Sequence, residues 1–158
     1  MTFSTLIGNP YKTCEERDVI CVTTNGEVKK DGLAVMGQGT AKFARDTFQD
    51  IDVKLGKLLV EHGNRVFNLG TQIFQGKPIR VVAFPTKHKW RENSDLALIK
   101  KSVRELVQLC DKFNLTKIYL PVPGGQNGKL KWSDVKPALT DLDERFVVYS
   151  MDEKTFTK

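Results

Sequence analysis

The chain has 158 residues, of which 40% are hydrophobic and 28% are charged, and these values are typical of one soluble globular domain. They argue against a disordered chain, and no apolar run approaches the roughly 18 residues that a transmembrane helix needs. Lysine and arginine outnumber aspartate and glutamate by 25 to 19, and the net charge of +6 favours anionic partners such as phosphates or nucleic acid. A basic balance of this size is also common on surfaces that bind nothing.

Targeting and redox signals are sparse. Met1 to Gly8 lacks the basic region and apolar run of a signal peptide, so we expect a cytoplasmic protein without membrane contact. Cys14, Cys21 and Cys110 are odd in number and form no CxxC pair, which argues against a disulfide framework and a zinc site. The histidines and carboxylates show no metal-ligand spacing, and no GxSxG nucleophile motif is present. We therefore expect structural thiols and no metal.

The first half of the chain predicts a strand, a glycine-rich loop and helices in succession. Asp18 to Thr23 is apolar and β-branched and ends at a polar turn, which predicts a buried strand. Apolar residues between Thr40 and His62 recur at helical spacing, and the pattern predicts two helical pieces broken around Asp50.

A hairpin and a long helix are predicted next. Arg65 to Phe74 and Pro78 to Phe84 are rich in β-branched or aromatic residues and flank Gln75-Gly76-Lys77, so we expect two antiparallel strands joined by a turn. Ser94 is predicted as the N-cap of a helix that continues to Phe113, because apolar residues there step by three and four.

The last third returns to strands. Lys117 to Pro121 predicts a buried strand, Ser133 to Leu142 a helix with Pro137 in its first turn, and Phe146 to Ser150 a final strand. We expect the tail, Asp152 to Lys158, to be frayed.

The order of elements is mostly strand followed by helix. This alternation predicts an α/β fold with a largely parallel sheet covered by helices on both faces. In such a sheet the ligand binds at the carboxyl ends of the strands. Without repeats or linkers, we expect one domain over residues 1–158 and a monomer.

Two loops are rich in glycine and follow predicted strands. Gly37-Gln38-Gly39 directly precedes a predicted helix, so its backbone N–H groups can face a phosphate, although the motif also fits a simple turn that starts a helix. Lys42 stands where the third glycine of GxGxxG would be, and no P-loop is present. Pro121 to Gly128 follows another strand and has three glycines in five positions. The two loops could grip one diphosphate, or they could be unrelated surface turns.

A basic segment follows a third strand end. Thr86 to Arg91 carries cationic heads and one aromatic face, which could meet a charged ligand or a stacked base. Lys87 lies closest to the strand. A solvated basic turn is the alternative interpretation.

Three ordered blocks resemble one protein family. Val19 to Asn25 followed by Gly32 to Ala41 is similar to a strand ending in asparagine and then a VMGxGxA loop. Phe84 to Arg91 is similar to FPTKxxWR, and Leu120 to Trp132, continued by Val135, is similar to LPxxGxGxGxLxW. Over nearly the whole chain the sequence resembles a macro domain, an α/β fold that binds ADP-ribose. The resemblance implies a three-layer α/β/α sandwich with a mixed, largely parallel central sheet.

The resemblance implies roles for particular residues. Asn25 would face the distal ribose of ADP-ribose, Val35 to Ala41 would wrap that ribose and the diphosphate, and Gly124 to Gly128 would cover the diphosphate from the other side. Lys87 would be the catalytic residue at the distal ribose C1″, together with Asn25. Asp18, or an aromatic residue near the second loop, would recognise adenine. The implied ligand-binding residues are Asp18, Val35, Met36, Gly37, Gln38, Gly39, Thr40, Ala41, Thr86, Pro123, Gly124, Gly125, Gln126, Asn127 and Gly128.

The blocks are closest to the lysine-dependent branch that removes ADP-ribose from DNA bases or acidic protein side chains. Gly128 stands where the acidic-side-chain branch has an aspartate, which favours DNA, and the basic segment Lys87 to Arg91 suits a phosphate backbone. Gln126 replaces a glycine usual in the loop, and Glu27 to Asp31 is an insertion. Two alternatives stay open: a phosphatase acting on ADP-ribose 1″-phosphate, and a non-catalytic reader of ADP-ribose. None of them requires a cofactor.

Overall fold

The computed structural model describes residues 2–125 and 128–157. Within these residues one sheet is formed by β1 (Ser4–Ile7), β2 (Val19–Thr24), β3 (Phe67–Phe74), β4 (Lys77–Pro85), β5 (Ile118–Pro121) and β6 (Phe146–Ser150). The spatial order is β1, β6, β5, β2, β4, β3. Neighbouring strands from β1 to β4 in this order pair in parallel, and β3 pairs antiparallel with β4.

Helices cover both faces of the sheet. They are α1 (Gly39–Thr47), α2 (Ile51–His62), α3 (Leu96–Phe113) and the short α4 (Trp132–Val135). Alternate side chains of β2 point to opposite faces, as the pleat of a strand requires. Those of Ile20 and Val22 pack in the core under α1 and α2, while Val19 and Cys21 pack in the core under α3 and α4. The expected three-layer α/β/α fold with a mixed, largely parallel sheet is confirmed.

The predicted break between two helices and the predicted hairpin are both present. Asp50 adopts a left-handed backbone, with φ of 58°, between α1 and α2. The hairpin turn is one residue shorter than predicted, because Phe74 and Lys77 already pair and leave Gln75 and Gly76 between the strands. Both turn residues have positive φ, 48° and 80°, as a tight two-residue hairpin turn requires.

Three details differ from the sequence-based predictions. β1 was not predicted. Asp95, rather than Ser94, caps α3, because its carboxylate accepts hydrogen bonds from the backbone N–H groups of Ala97 and Leu98. The predicted helix near the end is divided into α4 and a short 3₁₀ helix, Lys136–Leu139, with Pro137 at the start of the second piece.

The tail returns to the body of the protein. A 3₁₀ turn spans Thr155–Thr157, and the ring of Phe156 packs edge-on against Trp132 with 4.9 Å between the ring centroids. Across residues 2–125 and 128–157, no helix is long and apolar enough to cross a membrane.

Candidate active site

The carboxyl ends of the parallel strands meet at one edge of the sheet and surround a cavity. β2 and β4 end side by side, since Thr24 pairs with Pro85. A cavity of about 990 Å³ lies at this edge and receives residues that follow β1, β2, β4, β5 and β6. The predicted site residues that line it are Asn25, Val35, Gly37, Gln38, Gly39, Thr40, Ala41, Thr86, Lys87, Gly124, Gly125 and Gly128. Its volume falls at the upper end of the roughly 300–1,000 Å³ typical of small-molecule sites.

The first glycine loop leads from β2 into α1. A Cβ added to Gly37 would meet no atom within 4 Å, so this backbone is open to an approaching ligand. Gly39 has φ of +57° and begins α1, whose N-terminus therefore faces the cavity. Thr40 accepts a hydrogen bond from the Thr23 N–H through its hydroxyl oxygen, at 3.0 Å, which fixes the loop to the end of β2. The backbone here can hold an anion at the start of a helix.

Asn25 contacts this loop, and both the nitrogen and the oxygen of its side-chain amide form hydrogen bonds. Its side chain donates to the Val35 carbonyl at 3.2 Å and accepts from the Glu27 N–H at 2.9 Å. The residue is buried yet lines the cavity. Because the amide nitrogen carries two N–H donors and one is used, the second is available to a ligand.

Lys87 begins the turn that follows β4. Its Nζ donates to the Trp90 carbonyl oxygen at 3.1 Å, and partial burial lowers the pKa of the amine below the ordinary lysine value. The carboxylate of Asp95 lies 3.1 Å from Nε2 of His88, and this contact lowers the pKa of Asp95. Lys87 lines the cavity, whereas Lys89 and Arg91 of the same turn do not. Desolvation makes the protonated form of the Lys87 amine less favourable than in an exposed lysine.

Three contacts from outside hold this turn, which we call the lysine turn (residues 87–92). The Gly26 N–H donates to the His88 carbonyl at 3.0 Å, and the Asn64 amide donates to the Lys87 carbonyl at 3.1 Å. The Trp90 N–H donates to a carboxylate oxygen of Glu27 at 3.1 Å. Gly26 also leaves room for Asn64, because a Cβ there would lie 2.9 Å from the Asn64 Cγ. The position of Lys87 therefore depends on residues outside the recognised motif.

Replacing Asn64 with aspartate should destabilise the protein, because the isosteric carboxylate cannot donate to the Lys87 carbonyl. The loss should be about 1–3 kcal/mol, the usual cost of leaving a polar group unpaired. Asn68→Asp is the matched control, since the Asn68 side chain only accepts, from the Gly70 N–H at 2.9 Å, and aspartate keeps that bond. Urea unfolding of both variants measures the difference. Equal stability of the two would contradict the assigned contact.

The second glycine loop is packed against the start of α3. Gly124 has φ of +78°, and a Cβ there would lie 2.6 Å from the Leu130 side chain. A Cβ at Gly128 would lie 2.1 Å from Oγ of Ser94, whose backbone N–H donates to the Gly128 carbonyl. Both positions require glycine for steric reasons. Gln126 and Asn127, predicted here as ligand residues, lie outside the described residues.

Three predicted ligand residues do not line the cavity. Met36 is 1% exposed and packs in the core between the sheet and α1, because alternate residues of the loop point inward. Pro123, which is part of the second loop, is buried. Asp18 precedes the first residue of β2, whereas the cavity lies beyond its last residue, about 20 Å away at roughly 3.3 Å per residue. Its carboxylate instead accepts from the Glu15 N–H at 2.9 Å.

The structure adds residues that the sequence patterns did not indicate. Asn9 and Tyr11 follow β1 and line the cavity, as does Phe43 of α1. The Tyr11 hydroxyl is buried without a hydrogen-bond partner among the described residues, and burial raises its pKa. Tyr11 and Phe43 lie with ring centroids 4.6 Å apart. The part of the cavity formed by Tyr11 and Phe43 is thus aromatic. The sequence signal that could have indicated it was the pair Asn9-Pro10, which follows the first apolar residues.

Most charged residues around the cavity are cationic. Lys129 and Lys131, which follow the second loop, line it together with Lys87, and Asp152 is the carboxylate in the lining. Within the two described stretches, no group of three or more histidine, cysteine or carboxylate residues could hold a metal ion. The arrangement consists of backbone donors, an asparagine amide and cationic amines. It suits a phosphate-bearing ligand.

The chain is similar to curated proteins, although no protein-family model matches it. DNA ADP-ribosyl glycohydrolases of Mycobacterium bovis and Mycobacterium tuberculosis are 31% identical over 113 residues, which are 68% of this chain and 31% of theirs. The chain therefore spans about a third of the length of these curated relatives.

Solved structures extend the likeness to the whole fold. The macrodomain of Mycobacterium tuberculosis DarG matches with a TM-score of 0.71 and 24% identity, over 94% of this chain and 97% of its own. Thermosipho africanus DarTG in complex with ADP-ribose matches with a TM-score of 0.75 and 20% identity, over 94% of this chain and 41% of its own. The strand order, the two glycine loops and these likenesses agree with the three sequence blocks. The chain has the macro-domain fold.

Proposed function

We propose that this macro domain binds ADP-ribose and removes it from a modified macromolecule, with DNA as the substrate favoured. The observation that carries the proposal is the position of Lys87, which lines the same cavity as Asn25 and the two glycine loops. We also propose that residues 1–158 form one domain, which acts as a monomer in the cytoplasm.

The cavity supports the binding part of the proposal. A diphosphate carries negative charge that backbone N–H groups and a helix N-terminus stabilise, and the loop of Gly37 and Gly39 offers both. Gly124 and Gly125 approach from the other strand end. One of the similar structures is described as a complex with ADP-ribose. We infer that the diphosphate lies between the two loops.

The amine of Lys87 supports the catalytic part. Burial lowers its pKa, so a larger fraction is neutral than for an exposed lysine at the same pH. A neutral amine can attack C1″ of the distal ribose, while the electron pair of the breaking bond leaves with the modified group. A protonated amine can stabilise the departing group instead. In the first route water then displaces the lysine nitrogen from C1″, and in the second water adds to C1″ directly. In both routes one proton ends on the departing group, and the amine is regenerated.

DNA is favoured over acidic protein side chains for three reasons. The curated relatives are named DNA ADP-ribosyl glycohydrolases. The second reason is steric, since Gly128 occupies the position where the other branch would place an aspartate, and Ser94 fills the space that its Cβ would need. The exposed basic side chains of Lys89 and Arg91 also suit phosphates of a nucleic acid.

Gly128→Ala should destabilise the protein in a way that depends on Ser94. The added Cβ would lie 2.1 Å from Oγ and 2.9 Å from Cβ of Ser94, so Ser94→Gly should remove most of the cost. We expect an interaction energy of about 0.5–3 kcal/mol in a double-mutant cycle measured by urea unfolding. Gly125→Ala is the control, because its Cβ would meet nothing closer than 3.6 Å. Additive effects of the Gly128 and Ser94 changes would contradict the steric account.

The proposed activity is tested by measuring release of ADP-ribose from three substrates in parallel. These are DNA carrying ADP-ribose on thymine, a glutamate-modified peptide and ADP-ribose 1″-phosphate. We expect fastest release from the DNA. Preference for the peptide or the 1″-phosphate would reassign the substrate, and binding of ADP-ribose without any release would make the protein a reader.

A further inference from the structure

Trp90 exposes an aromatic face at the edge of the cavity. Its side chain is 44% exposed and lines the cavity together with Lys87. Large aromatic side chains contribute most when they are buried, so one left half-exposed beside a reactive amine calls for an explanation.

The lysine turn does not need the indole for its own structure. The contacts that hold residue 90 are made by its backbone, with the N–H donating to Glu27 and the carbonyl accepting from Lys87 Nζ, each at 3.1 Å. Among residues 2–125 and 128–157, no second aromatic ring packs against the indole, and the Arg91 guanidinium lies over one of its faces, 5.7 Å from a ring centroid. The other face of the half-exposed indole is the one that a ligand can contact.

Its position relative to Lys87 defines what that ligand is. The Lys87 amine donates a hydrogen bond to the Trp90 carbonyl, so the amine and the indole are held on the same turn. A substrate with C1″ at the amine must direct the group attached to C1″ out of the loops and along this turn. If the substrate is DNA, that group is a flat nucleobase, and the cationic side chains of Lys89 and Arg91 beside it can meet the neighbouring phosphates.

We propose that the Trp90 indole stacks on the nucleobase that leaves from C1″. This inference rests on the proposed function and adds the element that separates base-linked substrates from free ADP-ribose. Stacking of a base on an aromatic side chain contributes about 1–3 kcal/mol and tolerates any base, because every base has a π-face. Glu27 keeps the platform in place through the Trp90 N–H.

The test compares Trp90→Ala, Trp90→Phe and Phe113→Ala with the wild-type protein. Phe113 is the matched control, because it is also 44% exposed but lies at the end of α3 and does not line the cavity. We measure kcat/KM on single-stranded DNA carrying ADP-ribosyl-thymine, and the Kd for free ADP-ribose by calorimetry. Trp90→Ala should lower kcat/KM by about 5- to 150-fold, which corresponds to about 1–3 kcal/mol. Trp90→Phe should recover most of the loss, and the Kd for ADP-ribose should change by less than about twofold, within about 0.4 kcal/mol.

Salt separates stacking from charge. The defect of Trp90→Ala should persist at high ionic strength, while that of Lys89→Ala should shrink as phosphate contacts are screened. Unchanged kcat/KM in Trp90→Ala, or an equal loss of ADP-ribose affinity, would overturn the stacking role but leave the proposed function standing. If wild-type protein binds ADP-ribose and releases none from DNA, both proposals fail.

Discussion

Lys87→Ala should nearly abolish the release of ADP-ribose while ADP-ribose still binds. A side chain that acts as nucleophile or proton donor in the transition state typically contributes about 100- to 10,000-fold in rate, and alanine removes it. The glycine loops and Asn25, to which we assign the binding contacts, do not depend on the amine. Single-turnover release from ADP-ribosylated DNA, with calorimetric binding of ADP-ribose alongside, measures both parts. Lys89→Ala, measured at high ionic strength where its phosphate contacts are screened, is the control, since Lys89 belongs to the same turn but does not line the cavity.

The pH profile distinguishes the two roles of this amine. Burial lowers the pKa of Lys87, so a nucleophilic amine gives a rate that rises with pH and levels off below the ordinary lysine pKa. An amine that acts through its positive charge gives a rate that falls over the same range. Lys87→Arg keeps the charge but not the nucleophile, so it should be inactive in the first case and partly active in the second. Turnover by Lys87→Ala equal to wild type would exclude both roles.

Gly56→Ala should destabilise the protein although alanine is the better helix former. In an exposed helix interior this change gains about 0.5–1 kcal/mol. Here an added Cβ would lie 2.0 Å from the Gly32 carbonyl oxygen and 3.1 Å from the Ala34 nitrogen, and backbone atoms cannot rotate away. We expect a net loss of about 1–3 kcal/mol, typical of overpacking in a close-packed core.

This substitution should also reach the ligand site. Residues 32–34 lead into the first glycine loop, and the Ala34 N–H is fixed by the Asp52 carbonyl of α2 at 3.0 Å. Displacing them should weaken ADP-ribose binding as well. Val60→Ala is the control, because Val60 lies on α2 with 72% of its side chain exposed. Urea unfolding gives the comparison, and a Gly56→Ala protein at least as stable as wild type would refute the close approach.

Local sequence patterns predicted the elements that bury their own apolar residues. β2 is buried along nearly its whole length, and the helical spacing of α3 places Ile99, Val103 and Leu106 in the core. Such elements can be predicted from the sequence because the apolar residues that stabilise each element also set its pattern. The three sequence blocks then gave the family.

Elements defined by distant contacts were missed. β1 has mostly exposed side chains and exists because Ser4 to Ile7 pairs with β6, about 140 residues later. Because β1 was not predicted, Asn9 was not considered, and the adenine role was assigned to Asp18 or to an aromatic residue near the second loop. Asp18 lies before β2, at the end of the strand away from the cavity. Ser94 and Asp95 are both good caps, and the sequence does not show that the Ser94 N–H donates to the distant Gly128 carbonyl while Asp95 accepts from the first N–H groups of α3.

Contiguous motifs also conceal alternation. The first glycine loop reads as one ligand-binding segment, yet Met36 faces the core while Val35 and Gly37 line the cavity. The anchors of the lysine turn, Asn64 and Glu27, are far from Lys87 in sequence and belong to no motif. Sequence therefore predicts which segments form the site better than it predicts which side chains face it.

We expect ADP-ribose to lie between the two glycine loops with its distal ribose at Lys87. A crystal structure of Lys87→Ala with ADP-ribose tests this most directly, because the variant should bind without turnover. We predict the diphosphate between Gly37 and Gly124, and C1″ beside Asn25 at the space left by the lysine side chain. A ligand in the opposite orientation, with adenine at position 87, or one bound outside the two loops, would contradict the account.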